Sequence, residues 1–96
     1  MPLRKPAAAS CTVRIASPLR SYTAGTATLG ACGNNLAEVL SAVDERFPGI
    51  RFRMIDEQDR IRPHLRLFVN SSEAGTLTAK VADGDTVHLI CALSGG

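Results

Sequence analysis

Leu36, Val39, Leu40, Val43 and Phe47 recur at i, i+3, i+4, i+7 and i+11. That spacing lines apolar side chains along one face of a helix. Asn35 stands at the N-cap, and Glu38 occupies the reciprocal capping-box position. Pro48-Gly49 ends the run. The opposite face carries Glu38, Asp44, Glu45 and Arg46, which suits water. A stripe of this width needs another layer to cover it, and one helix cannot supply that layer alone.

The flanking segments supply strands. Residues 12–16 alternate, with Val13 and Ile15 on one face. Ser17-Pro18-Leu19-Arg20 interrupts them. A Thr-rich extended segment over residues 23–29, flanked by Gly25 and Gly30, predicts the second arm of a hairpin. After the helix, residues 51–66 read as an irregular charged connection, with Phe52, Met54 and Ile55 tucked against the core. Residues 65–69 alternate again, with Leu65, Leu67 and Val69 on one face and Arg66, Phe68 and Asn70 on the other. Residues 70–75 have turn composition, and 76–81 predict a short strand or edge. Ala82-Asp83-Gly84-Asp85 is a tight turn in which Gly84 can take positive φ. A last strand runs from Thr86 to about Ala92. The order strand, strand, helix, strand, short strand, strand is α+β. By fold-level analogy it is the β-grasp (ubiquitin-like) arrangement, with one main helix on one face of a mixed sheet of four to five strands. Residues 11–92 form this domain, between a flexible N-terminal tail (1–10) and a flexible C-terminal tail (93–96).

Composition excludes several classes. A chain of 96 residues makes one domain, and a net charge of +2 does not indicate nucleic acid. Arg51, Arg53, Arg60, Arg62 and Arg66 are interleaved with Asp56, Glu57 and Asp59, the pattern of a solvated loop. Cys11, Cys32 and Cys91 form no C-x-x-C pair, so neither a zinc site nor a disulfide framework is indicated. Cys91 shares strand parity with Val87 and Leu89, which reads as an inert, buried thiol. His64 and His88 stand apart from any ligand partner, so no metal is expected. No run has signal-peptide or transmembrane character, and the expected setting is cytoplasmic, without a membrane.

The sequence closes on Gly95-Gly96, just after the last strand. Without a Cβ, two glycines can thread a narrow channel and present a bare carboxylate. Residues 93–96 reach roughly 13–14 Å beyond the strand.

Three groups of residues now carry a resemblance. Phe68-Val69-Asn70 is similar to a strand ending in hydrophobic-Val-Asn. Ala82-Asp83-Gly84-Asp85-Thr86-Val87 is similar to an Asp-Gly-Asp-x-Val turn into a last strand. Gly95-Gly96 is similar to a diglycine end. Together they resemble the ubiquitin-like sulfur carriers, which include the small subunit of molybdopterin synthase and the thiamine-pathway carrier. Leu19-Arg20-Ser21-Tyr22-Thr23-Ala24-Gly25 and the long connection over 47–66 look most like the cysteine-biosynthesis type. The run Thr86-Val87-His88-Leu89-Ile90 also resembles ubiquitin's last strand.

The resemblance implies a carrier without an active site of its own. An ATP-dependent adenylyltransferase/sulfurtransferase would activate the Gly96 carboxylate and convert it to a thiocarboxylate. Gly95, Ser94 and Leu93 would enter the partner's active site. Alternation puts Phe68 and Ile90 on the face opposite the helix-facing Leu67, Val69, Val87 and Leu89. With His88, singled out by the resemblance to ubiquitin's last strand, they would form the docking face unless the connection over 51–66 covers them. No cofactor is expected on this chain; ATP and PLP belong to partner enzymes. The acceptor would be a biosynthetic synthase, PLP-dependent in the cysteine branch, where a metalloprotease then releases the carrier. Transfer into molybdopterin or secondary-metabolite thiolation belongs to the same chemistry. Two other readings stay open: a ubiquitin-like modifier conjugated through Gly96, and a non-covalent β-grasp interaction module.

Overall fold

Helix α1 (Leu36–Arg46) starts as its capping residues predict. The Asn35 side chain accepts from the Glu38 backbone N–H at 2.9 Å. The Glu38 carboxylate reaches back to the Asn34 N–H at 2.8 Å. Two orphan donors of the first turn are thus satisfied reciprocally. The next two are met from across the molecule: the Leu36 and Ala37 N–H groups donate to the carbonyls of Ala79 and Leu77.

A computed structural model describes residues 9–91. It contains β1 (Ser10–Arg14), a 3-10 helix (Ser17–Tyr22), β2 (Thr28–Cys32), α1, α2 (Ile50–Met54), β3 (Leu65–Val69), β4 (Ser72–Ala74) and β5 (Thr86–Cys91). The strands form one sheet in the order β2-β1-β5-β3-β4. β1 pairs parallel with β5, and every other pair is antiparallel. This mixed five-stranded sheet with α1 against one face is the expected β-grasp. Val13, Leu67, Val87 and Leu89 from the sheet meet Leu36, Val39, Leu40 and Val43 from α1, all buried in one core.

Several boundaries differ from the sequence reading, each for a local reason. β2 occupies Thr28–Cys32 rather than residues 23–29. Pro18 opens a 3-10 helix, and Ala24 and Gly25 both take positive φ, so the chain is still turning where the strand was expected. The connection after α1 is not wholly irregular. Gly49 takes φ +102, and the Asp44 carboxylate accepts from the N–H groups of Gly49 and Arg51, which nucleates α2. Ile50 and Met54, one turn apart, are fully buried, as is Ile55. Phe52 points the other way and is 54% exposed, contrary to its expected place against the core. The Arg62 guanidinium lies over its ring at 4.6 Å. Within the expected turn over 70–75, β4 pairs with β3, leaving only Asn70 and Ser71 to reverse the chain. Residues 76–81 form no strand beyond one isolated bridge from Lys80 to Asn35. Carbonyls in that segment cap α1 instead of building a ladder.

Gly33 joins β2 to α1 at a close approach. A Cβ there would lie 2.7 Å from the Val39 backbone nitrogen and 2.9 Å from the Glu38 carbonyl carbon. Neither atom can move without unwinding the first turn of α1. Gly33→Ala is therefore expected to destabilise the domain by about 1–3 kcal/mol, the usual cost of overpacking. Chemical denaturation of the two proteins, with unchanged slope and a lowered midpoint, checks it.

Candidate functional site

β5 is the central strand, and its two ends are chemically different. Its start is clamped. Asn70 takes φ +56, which Asn tolerates better than most residues, and ends β3 beside the beginning of β5. The Asn70 side chain donates to the Asp85 carboxylate at 3.0 Å and accepts from the Thr86 N–H at 3.0 Å. Asp85 also accepts from the Ala82 N–H at 2.8 Å. Asp83 accepts from the Ser10 N–H at 2.8 Å, and the Gly84 N–H donates to the Ser10 carbonyl at 2.9 Å. Gly84 takes φ +86, as the turn requires. Asn70 and the Asp83-Gly84-Asp85 turn thus fasten β5 to both β1 and β3. The Asp85 carboxyl is held below its usual value, first by the Ala82 N–H and then by the Asn70 side chain.

The far end of β5 lies beside the start of β3, where Cys91 is the register partner of Leu65. Cys91 is half-buried against the core, and burial raises its thiol pKa, which disfavours the reactive thiolate. Leu93, Ser94, Gly95 and Gly96, the expected tail site, lie outside the described residues.

The sheet face opposite α1 carries the three expected docking residues. Phe68 pairs with His88, and Arg66 pairs with Ile90. Directly opposite side chains on one face are within contact range, so Phe68, His88 and Ile90 are brought together. Ile90 is 43% exposed, whereas Phe68 and His88 are half-buried. The connection over 51–66 sends Met54 and Ile55 into the core and leaves Ile90 accessible. His64 is exposed near the start of β3. Among the described residues, no group of three His, Cys, Asp or Glu side chains is arranged to hold a metal. Among the described residues, no helix is long and apolar enough to cross a membrane.

Two residues that the sequence reading passed over stand beside this cluster. Arg14 of β1 is the register partner of His88. Arg20 of the 3-10 helix, Arg14, His88 and Ile90 line one depression of about 180 Å3. The alternation of β1 already puts Arg14 opposite Val13 and Ile15. Arg20 is brought in by the 3-10 helix, which has no periodic signal in the sequence.

Known proteins share this fold. The sequence model of the ThiS family matches residues 13–96. The sulfur carrier protein CysO of Mycobacterium tuberculosis is 32% identical over 90 residues, spanning 88% of this chain and 97% of that protein. Among solved structures, the BexX/CysO complex of Amycolatopsis orientalis contains a chain similar at TM-score 0.83 and 32% identity, covering 90% of this chain and 99% of that one. Small archaeal modifier protein 1 of Methanosarcina acetivorans superposes at TM-score 0.77 over 92% of this chain and 97% of its own, and at 21% identity shows the fold alone.

The clamp at the start of β5 generates a pH prediction. A carboxylate whose folded pKa is depressed contributes stability above its unfolded pKa of about 4 and loses it as pH falls through the folded value. Thermal melts between about pH 2 and pH 7 are expected to show wild-type stability falling off below about pH 4. Asp85→Asn removes part of that acid-dependent loss and lowers stability near neutrality, because the amide must face one donor with another donor.

Proposed function

The chain belongs to the ThiS family, and from that premise we propose that it carries sulfur as a thiocarboxylate on the Gly96 carboxyl group. The observation that carries this reading is the family match, which runs from Val13, within β1, to residue 96. The similarity to the sulfur carrier protein CysO, over 88% of this chain and 97% of that protein, supports the carrier reading. The resemblance of residues 19–25 and 47–66 to the cysteine-biosynthesis type makes cysteine biosynthesis the proposed destination.

A carboxylate is a poor electrophile because oxide is a poor leaving group. In the proposed sequence a Gly96 carboxylate oxygen attacks the α-phosphorus of ATP on a partner enzyme and pyrophosphate leaves. Hydrosulfide then attacks the acyl carbon and AMP departs, leaving the thiocarboxylate after loss of a proton. The resulting thiocarboxylate is a soft nucleophile. On a PLP-dependent synthase it displaces the leaving group of an activated serine, forming a carbon–sulfur bond. A metalloprotease then hydrolyses the linkage that still holds the carrier. This chain's part is to bind and to deliver. β5, held between β1 and β3, gives the last residues a fixed root. Leu93, Ser94 and Gly95 pass through the partner's channel, and Phe68, His88 and Ile90 rest on its outer surface.

The test is intact-protein mass spectrometry after incubation with an activating enzyme, ATP and a sulfur source. Replacement of one oxygen by sulfur at Gly96 is the expected result. An isopeptide conjugate to a lysine would favour a protein modifier instead, and an unmodified chain would leave only a non-covalent module. Deleting Gly96 is expected to abolish the exchange while the thermal melt stays unchanged. Ile90→Asp keeps the fold, since the side chain is 43% exposed. It is expected to weaken productive binding by about tenfold or more, the loss typical of a central apolar contact. The ratio kcat/KM for thiocarboxylate formation measures it.

A further inference from the structure

The described arginines divide sharply by how their charge is used. Arg51, Arg60 and Arg66 pair with Asp59, Asp56 and Glu73. Arg46, Arg53 and Arg62 lie over the rings of Phe47, Tyr22 and Phe52. Arg14 and Arg20 have neither a carboxylate nor an aromatic ring among the described residues. Yet they line the same depression, where two like charges repel. Arg20 is positioned by a 3.0 Å hydrogen bond from its Nε to the Ile15 carbonyl, which leaves its remaining N–H donors for another acceptor. Arg14 is exposed beside His88.

The acidic groups nearest β5 in sequence, Asp83 and Asp85, sit at its opposite end and are occupied by backbone N–H groups. β5 therefore runs from an acidic start to a basic finish, and the basic end adjoins Ile90, next to the last described residue.

We propose that the depression between Arg14, Arg20 and His88 receives an Asp or Glu side chain of the activating enzyme, and so fixes the rotation of the carrier about β5 as its tail enters. Three observations select this occupant. Unpaired guanidiniums select a carboxylate or a phosphate. About 180 Å3 is smaller than the usual volume of a small-molecule site and suits a single side chain. The depression also shares Ile90 and His88 with the proposed docking face, so one protein surface would cover both.

The partner's identity rests on the carrier reading; the carboxylate preference does not. Two measurements on the full-length chain keep them separate. In the first, association with the activating enzyme is followed over a range of salt concentrations. Arg14→Glu and Arg20→Gln are each expected to slow association, by about tenfold for the charge reversal, and to flatten its salt dependence. Each variant's thermal melt is compared with wild type; if Arg20→Gln proves unstable, exposed Arg14 decides the outcome. Wild-type association rates in Arg14→Glu, or absence of wild-type binding, overturn the assignment to this partner. In the second, amide NMR shifts are recorded with acetyl-Gly-Glu-Gly-amide and, separately, inorganic phosphate at matched ionic strength. Shifts at Arg14, Arg20 and His88 with the peptide alone, lost in Arg14→Glu, are expected. Equal shifts with phosphate would make the depression a small-anion subsite and overturn the proposal, as would no peptide response. Peptide shifts without thiocarboxylate formation would refute the carrier reading while the carboxylate site stands.

Discussion

The parallel pairing of β1 with β5 is the contact on which the remaining geometry depends. It joins the two ends of the described chain: Ser10 and Asp83, bonded across the clamp, are 73 residues apart. Closing a loop of that length costs about 4 kcal/mol of chain entropy before any constant term. Fully buried Val13 and Val87, register partners at the centre of this pair, return part of it. The backbone bonds Thr12 N–H to Asp85 carbonyl and Gly84 N–H to Ser10 carbonyl return more. Because β3 closes on the other side of β5, the strand has no free edge along its paired length. Its direction, and the point where the chain leaves it, are thereby fixed relative to both sheet faces.

That constraint gives the sequence motifs a different meaning from the one they first suggest. Asn70 and the Asp83-Gly84-Asp85 turn identify a carrier by resemblance, yet they stand at the start of β5, away from its outgoing end. Their polar groups are consumed internally: Asn70 by Asp85 and Thr86, Asp85 by Ala82, Asp83 by Ser10. Their chemistry is that of an anchor. Asn and Asp suit it because each offers short polar atoms to nearby backbone at a turn. A motif can thus mark a family while acting only on structure, by holding the central strand.

The α1 stripe, its cap, β1, β3 and β5 were legible because each repeats a period or carries a capping or turn signature. Side-chain facing was legible too, through the alternation that puts Leu67 and Leu89 inward and Phe68 and Ile90 outward. What escaped has no period. The 3-10 helix at Ser17–Tyr22 is too short for one, and it displaced β2 toward Cys32. Residues 76–81 have strand-like composition, but their carbonyls are drawn to the orphan N–H groups of α1. Phe52 was misplaced because hydrophobicity alone cannot say which side of a five-residue helix faces the core; Ile50 and Met54, one turn apart, took that side.

The same distinction applies to the site. Ile90 and Phe68 are found by alternation within their strands and His88 by the resemblance to ubiquitin's last strand, whereas Arg14 and Arg20 are missed because charge alone does not single them out. Arg60 and Arg14 look equivalent in sequence, and both are exposed. Their difference is what surrounds them: Asp56 lies four residues from Arg60 on the same loop, while Arg14 faces His88 across a parallel pair and Arg20 across a depression. A salt bridge formed locally is solvent-screened and contributes little to stability or recognition. Two guanidiniums gathered from separate elements, without a described acid between them, create a positive potential that a partner's carboxylate would complement. Charge left unsatisfied by the fold, rather than total charge, is therefore the feature of this surface that points outward.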